Sequence, residues 1–314
     1  MSEKQPDIII IGGGVAGLSA AQYAARAGLN THLFEEMAPG GLLLTIDNLE
    51  NYPGFDKPLS GFELADNFTK QAEQFGAVFH YGGIKGIERN DEGYYRVTSE
   101  DGVYTVPAII LATGAKRREL GVPGEGEYQG RGVSYCATCD GPFFKGKRML
   151  VVGGGDSACT EALYLSKLSD QIVVVHRKDR FRAQRSIASN VEHNDHIEVR
   201  FMHTVNAIKG NGKQVTGVSL HDIATNRDYE EEFDAVFVFI GADPRVDLIP
   251  DLELDEGGYI VTNELMHTSM PGIFAVGDVR NTPFRQVVTS ASDGAVAAHA
   301  ASEYIDELRG QAYV

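Results

Sequence analysis

Four isoleucines in a row, Ile8 to Ile11, run into Gly12-Gly13-Gly14. A β-branched run this short and this uniformly apolar reads as a strand covered on both faces. The Ala-rich stretch "VAGLSAAQYAARAG" predicts a helix ending near Gly28. A second apolar run, "THLF", predicts another strand and closes at Glu35. The alternation returns at "RMLVVGGGDSACTEALYLSKLSDQIVVVH": strand, glycine turn, helix, and a strand ending at His176. "PGIFAVGD" predicts a third short strand before Gly277-Asp278, and a small-residue helix begins near Arg285-Gln286-Val287. Strands alternating with helices in this way point to an α/β chain with parallel sheets.

The glycine spacing adds chemistry to that pattern. Gly12, Gly14 and Gly17 fit G-x-G-x-x-G, while Gly153, Gly155 and Ala158 give G-x-G-x-x-A. The first glycine permits the tight bend, the second lets the backbone approach a diphosphate, and the third position packs helix on strand. The free amides of the helix then face phosphate. Glu35 falls about twenty residues after the first motif, where a carboxylate holds ribose hydroxyls. No acid closes the corresponding second strand. His176, Arg177 and Lys178 stand there instead, with Arg182 and Arg185 following. Five of the nine residues from 177 to 185 are basic, a pattern that pairs with a ribose 2′-phosphate and selects NADP(H). In the last segment, Asp278 can accept bonds from a ribityl chain, and the helix starting near Val287 can turn its positive end toward a flavin.

The first and last segments therefore read as one FAD domain, residues 1–116 and 245–314, with an NADPH domain, residues 117–244, inserted between them. The crossings are expected at "ATGAKRREL" and "GADPRVDL". The expected fold is α/β, two Rossmann-like three-layer nucleotide-binding domains, one inserted into the other.

Composition agrees with this division. A chain of 314 residues exceeds the usual single-domain size. The net charge of −16 argues against nucleic acid or an anionic membrane as a partner. Residues 117 to 244 hold 16 Lys+Arg against 18 Asp+Glu, so most of the acidity belongs to the FAD domain. The N-terminus shows no basic leader, and no apolar run approaches the ~18 residues of a membrane span. A cytoplasmic location is expected, and three cysteines are too few for a secreted disulfide scaffold.

Two of those cysteines, Cys136 and Cys139, lie in "SYCATCDGPF". Zinc needs four ligands and only one C-x-x-C pair exists. Cys159 sits in the helix after the second glycine turn, where core packing accounts for it, so no metal is expected. A structural crosslink closing so small a loop stabilises little. Cycling between dithiol and disulfide is what this spacing does well.

Taken together, "GGLL…NLENYPGF", "ILATGA", "GRGVSYCATCDGPFF", "GGGDSA", "HRK", "PGIFAVGDV" and "RQVVTSASDG" resemble the low-molecular-weight thioredoxin reductases nearly end to end. The resemblance implies a homodimeric flavoprotein in which electrons pass from NADPH to FAD to the cysteine pair to thioredoxin. It also implies that the NADPH domain rotates about its two crossings between half-reactions. By the same resemblance Cys139 is the thiol beside the flavin, Cys136 the interchange thiol, and Asp140 the acid that handles the proton; capping a helix is the plainer role for Asp140. The implied FAD positions are Gly12, Gly14, Gly17, Glu35, Gly40, Gly41, Leu42, Asn51, Gly277, Asp278, Arg285, Gln286 and Val287. Leu42 stands where the family usually carries glutamine. The implied NADPH positions are Gly155, Asp156, Ser157, His176, Arg177, Lys178 and Arg182. A dithiol oxidase would need no basic cluster, and a ferredoxin–NADP reductase of this scaffold lacks the cysteine pair.

Overall fold

The computed structural model describes residues 5–46, 49 and 51–312. Asn48 and Glu50 of "NLENYPGF" lie outside the described residues. The chain divides into two compact units, one combining the stretch up to Lys116 with that from Asp243, the other Arg117–Ala242.

In the first unit β1 (Ile8–Ile11) feeds α1 (Val15–Arg26) and β2 (Thr31–Glu35). Helix α2 (Gly61–Gln74) and β3 (Val78–Tyr81) follow. Ser60 and Glu63 fix the start of α2 with a reciprocal capping box, Glu63 N–H to Ser60 Oγ at 3.1 Å and Ser60 N–H to Glu63 Oε2 at 2.9 Å. An antiparallel meander, β4 (Ile84–Arg89), β5 (Tyr95–Ser99) and β6 (Val103–Val106), leads to β7 (Ala108–Leu111). The chain then leaves through β8 (Ala115–Arg117).

The second unit opens with β9 (Val133–Ser134) and the single-turn helix α3 (Ala137–Asp140). Then come β10 (Met149–Gly153), α4 (Asp156–Leu165), β11 (Ile172–His176), α5 (Arg185–Glu192) and β12 (Ile197–Phe201). Its meander is β13 (His203–Gly210), β14 (Val215–Asp222) and β15 (Arg227–Glu231), followed by β16 (Ala235–Phe239). The return crossing β17 (Ala242–Pro244) pairs with β8 as a two-stranded sheet. Strand β18 (Ile273–Ala275) and α6 (Val287–Leu308) complete the first unit.

Each unit is built on a five-stranded parallel sheet, in the orders β18-β7-β1-β2-β3 and β12-β11-β10-β16-β9. The unbroken apolar runs have a simple cause: both sheet faces are covered. Ile8 and Ile10 enter one core while Ile9 and Ile11 enter another. Met149 and Val151 likewise part from Leu150 and Val152. A period of two splits each run between two layers, so neither face can be polar. Small residues set the helix spacing in the first unit. A Cβ on Gly294 of α6 would lie 2.1 Å from the Ala16 carbonyl oxygen of α1.

Candidate active site

The first glycine turn is shaped by what its glycines exclude. Gly12 has φ 105°, and a Cβ there would sit 2.3 Å from the Ala112 carbonyl oxygen. A Cβ on Gly17 would sit 1.9 Å from the Gly12 carbonyl oxygen, so the helix lies directly on the turn. Above Gly14, by contrast, a Cβ would meet nothing within 4 Å. Gly14 caps α1, and no acid occupies the first turn of that helix. A small open cradle of unopposed amide groups results, the arrangement that receives a diphosphate.

Glu35 ends β2 beside the turn, its Oε2 accepting from Gly13 N–H at 2.7 Å and its Oε1 from Met37 N–H at 3.0 Å. Gly40 N–H donates to the Gly13 carbonyl at 2.7 Å, and a Cβ on Gly41 would come within 3.2 Å of Gly14 Cα. Both glycines have positive φ, which brings their backbone edge-on to the turn. Leu42 follows Gly41 in the 3-10 turn Gly41–Thr45 and is 46% exposed.

The last segment meets the same unit from the other side of its sequence. Asn51 Nδ2 donates to Gln286 Oε1 at 2.9 Å, tying the early loop to the cap of α6. Gly277 N–H donates to the buried Asp293 at 3.1 Å, and Arg280 pairs with the same carboxylate at 3.1 Å. Burial raises the Asp278 carboxyl, and Arg285 nearby opposes that rise. Arg285 lies over the Tyr259 ring, 3.9 Å from its centroid. Tyr259 was not foreseen, because its partner is 26 residues away and no periodicity links them. Val287 begins α6 as expected.

In the second unit Gly153 repeats the part played by Gly12, with a Cβ position 2.2 Å from the Phe239 carbonyl oxygen. Gly155 caps α4, and Asp156 and Ser157 follow in its first turn. The His176 ring packs directly on Gly154, where a Cβ would lie 2.4 Å from Nδ1. Burial lowers the His176 pKa, and Arg177, Arg182 and Lys178 lower it further, so the imidazole is neutral at physiological pH. Arg177, Lys178 and Arg182 are exposed. Arg182 N–H donates to the Gly154 carbonyl at 2.7 Å. Gln184, which sequence reasoning did not single out, binds both carboxylate oxygens of Asp156.

Cys136 and Cys139 are joined as a disulfide with Cα atoms 5.4 Å apart. Cys136 is itself the cap of α3, and its Sγ accepts from Cys139 N–H at 3.2 Å. The Thr138 hydroxyl lies 3.4 Å from the same sulfur. Donors of this kind favour a thiolate over a thiol. Asp140 closes α3, occupies the cap position of the next turn, and makes no side-chain cap bond there. Asp140 thus holds the cap position of the turn Gly141–Phe144 without its carboxylate bonding there.

The residues before the pair are anchored from several directions. The Tyr135 hydroxyl donates to the buried Glu125 at 2.8 Å, and Arg117 donates to the Tyr135 carbonyl. Glu125 also accepts from Leu120 and Gly121 N–H at 2.8 and 2.7 Å. Cys159 is fully buried in α4, and burial pushes its thiol up to about 12, so it is inert. Two residues on, Glu161 has a buried Oε2 with no hydrogen-bond partner, and burial pushes this carboxyl up to about 7.

The sequence model of the pyridine nucleotide-disulphide oxidoreductases matches residues 6–299. A thioredoxin reductase of Treponema pallidum is 53% identical, the match covering 98% of this chain and 99% of that one. The crystal structure of Lactococcus lactis thioredoxin reductase in its FR conformation is similar at TM-score 0.92 and 41% identity, covering 96% of this chain and all of that one. Thioredoxin reductase from Streptococcus pyogenes gives TM-score 0.66 at 42% identity, covering 98% of this chain and 100% of that one.

Proposed function

Because the chain belongs to the thioredoxin reductases, within the pyridine nucleotide-disulphide oxidoreductases, we propose that its three motifs form one electron path. It reduces the disulfide of thioredoxin at the expense of NADPH, through FAD and through the Cys136–Cys139 disulfide. FAD supplies the step from a two-electron hydride donor to a sulfur–sulfur bond. The residues of the first unit suit it. Gly12, Gly14, Gly17, Gly40 and Gly41 leave room for the diphosphate, and Glu35 takes the ribose hydroxyls. Gly277, Asp278, Arg285, Gln286 and Val287 would hold the ribityl chain and ring, with Asn51 bracing Gln286 and Leu42 offering an apolar side chain. NADPH falls to Gly155, Asp156, Ser157, His176, Arg177, Lys178 and Arg182.

In the reduced pair, the Cys136 thiolate attacks a thioredoxin sulfur and breaks the substrate disulfide. Cys139 then attacks Cys136 Sγ in the mixed disulfide and releases the second thioredoxin sulfur as a thiolate, restoring the Cys136–Cys139 bond. Asp140, uncommitted to capping, delivers and recovers the proton. The observation that carries this assignment is the cap: Cys136 Sγ accepts the backbone N–H of Cys139 at 3.2 Å.

Cysteine pair and basic loop lie in one unit, the first glycine turn in the other. Rotation about β8 and β17 lets each serve the flavin in turn. No helix among the described residues is long and apolar enough to cross a membrane. A dithiol that NADPH must regenerate works where reducing power is kept, so we place the enzyme in the cytoplasm; the homodimer is carried over from the family resemblance.

Cys136→Ser or Cys139→Ser should each retain FAD and a slow NADPH oxidation by oxygen, while thioredoxin turnover falls by roughly a thousandfold or more. In the wild type, anaerobic NADPH should bleach the flavin and expose two new thiols. Thioredoxin turnover that survives either substitution would remove the pair from the path.

A further inference from the structure

Asp156 is an odd neighbour for a phosphate. It opens α4, where the unopposed amides would otherwise attract an anion and where a free carboxylate would repel one. Its charge is not free. Oδ1 accepts from the backbone N–H of Gln184 and Oδ2 from Gln184 Nε2, each at 2.7 Å and 28 residues away in sequence. A second link runs alongside, from Arg182 N–H to the Gly154 carbonyl at 2.7 Å. The segment from Arg177 to Gln184 has no regular secondary structure of its own. It carries Arg177, Lys178, Arg180 and Arg182, and all four are exposed.

An exposed irregular segment leaves long basic side chains poorly placed, because ordering them costs conformational entropy. The two links fold this one back onto the glycine turn, and the backbone is held before any ligand arrives. We propose that Gln184 is a positioning residue for 2′-phosphate recognition, clamping the basic loop to the second glycine turn through Asp156. The clamp rests on the reading of that turn as the NADPH site. It gives Asp156 a second role beside its place at the nucleotide turn: the carboxylate holds the loop, each of its oxygens occupied by an amide donor of Gln184.

Adenosine 2′,5′-bisphosphate and 5′-AMP separate the two claims, since only the first carries the phosphate the loop would read. Titrated calorimetrically into the FAD-loaded full-length enzyme, the bisphosphate should bind the wild type more tightly. Gln184→Ala and Gln184→Glu should each weaken the bisphosphate by about three- to tenfold and leave 5′-AMP nearly unchanged. Asp156→Asn combined with Gln184→Glu restores a donor facing an acceptor, so it should recover most of the lost affinity. Unaltered thermal unfolding will show that the variants fold.

A wild type that binds both nucleotides equally would sink the NADPH reading and the clamp with it. A discriminating wild type whose Gln184 variants discriminate as well would overturn the clamp alone. So would equal weakening of both nucleotides, or a double variant that fails to recover.

Discussion

The two glycine turns share a backbone and differ in the side chains set against it. In the first, Gly13 N–H is given to the Glu35 carboxylate at 2.7 Å. In the second, the equivalent Gly154 gives its carbonyl to Arg182 N–H and lies under the His176 ring. The residue closing the second strand thus decides whether a turn faces a carboxylate or an imidazole backed by guanidinium groups. The helices differ as well. The first turn of α1 holds no acid and leaves Gly14 open, whereas α4 begins with Asp156, whose carboxylate accepts from Gln184. One fold can therefore be tuned for either dinucleotide by a few side chains at its rim, while the strand, bend and helix beneath stay constant.

The strongest way to break the contrast is to remove its charge. Arg177→Ala with Arg182→Ala should raise KM for NADPH by about a hundredfold or more, since each lost charged contact costs about 1.5–3 kcal/mol. KM for NADH should rise by no more than about threefold. Steady-state kinetics with both coenzymes decide it, and equal effects would show that the cluster does not read the 2′-phosphate.

The next effect separates α4 from α1 by the acid in its buried face. Glu161 titrates near 7 in the fold against an ordinary 4.5, chiefly through burial. The folded state therefore holds this proton more tightly than the unfolded state. Its stabilising contribution is complete below about 4.5 and is lost as the pH rises through 7, by on the order of 3 kcal/mol. Urea unfolding of wild type and Glu161→Gln at about pH 5 and about pH 7.5 should show that slope only in the wild type. Identical slopes would assign the pH dependence to other groups.

The smallest effect concerns helix approach. Gly17→Ala forces a methyl to within 1.9 Å of a carbonyl, so it should cost about 1–3 kcal/mol in unfolding free energy and lower the FAD retained on purification. Ala158→Gly, at the matching position, should cost nearer 1 kcal/mol, from helix propensity and a lost buried methyl. A Gly17→Ala protein that keeps full flavin would mean the first helix can back away from the turn.

The sequence is most legible where the constraint is local. The isoleucine run, the glycine spacing, the acid at Glu35, the basic run after His176 and the C-x-x-C pair are all visible within a few residues, because strand period, bend and redox spacing are properties of neighbours. Two doubly covered parallel sheets follow from apolar runs that leave no polar face. What the sequence could not reveal are pairs brought together by the fold: Gln184 with Asp156, Tyr259 with Arg285, and Tyr135 with Glu125. Periodicity says which face of an element is buried. Which polar group ends up opposite which depends on how the loops return, and that is settled only when the packed sheets and helices fix where each loop begins and ends.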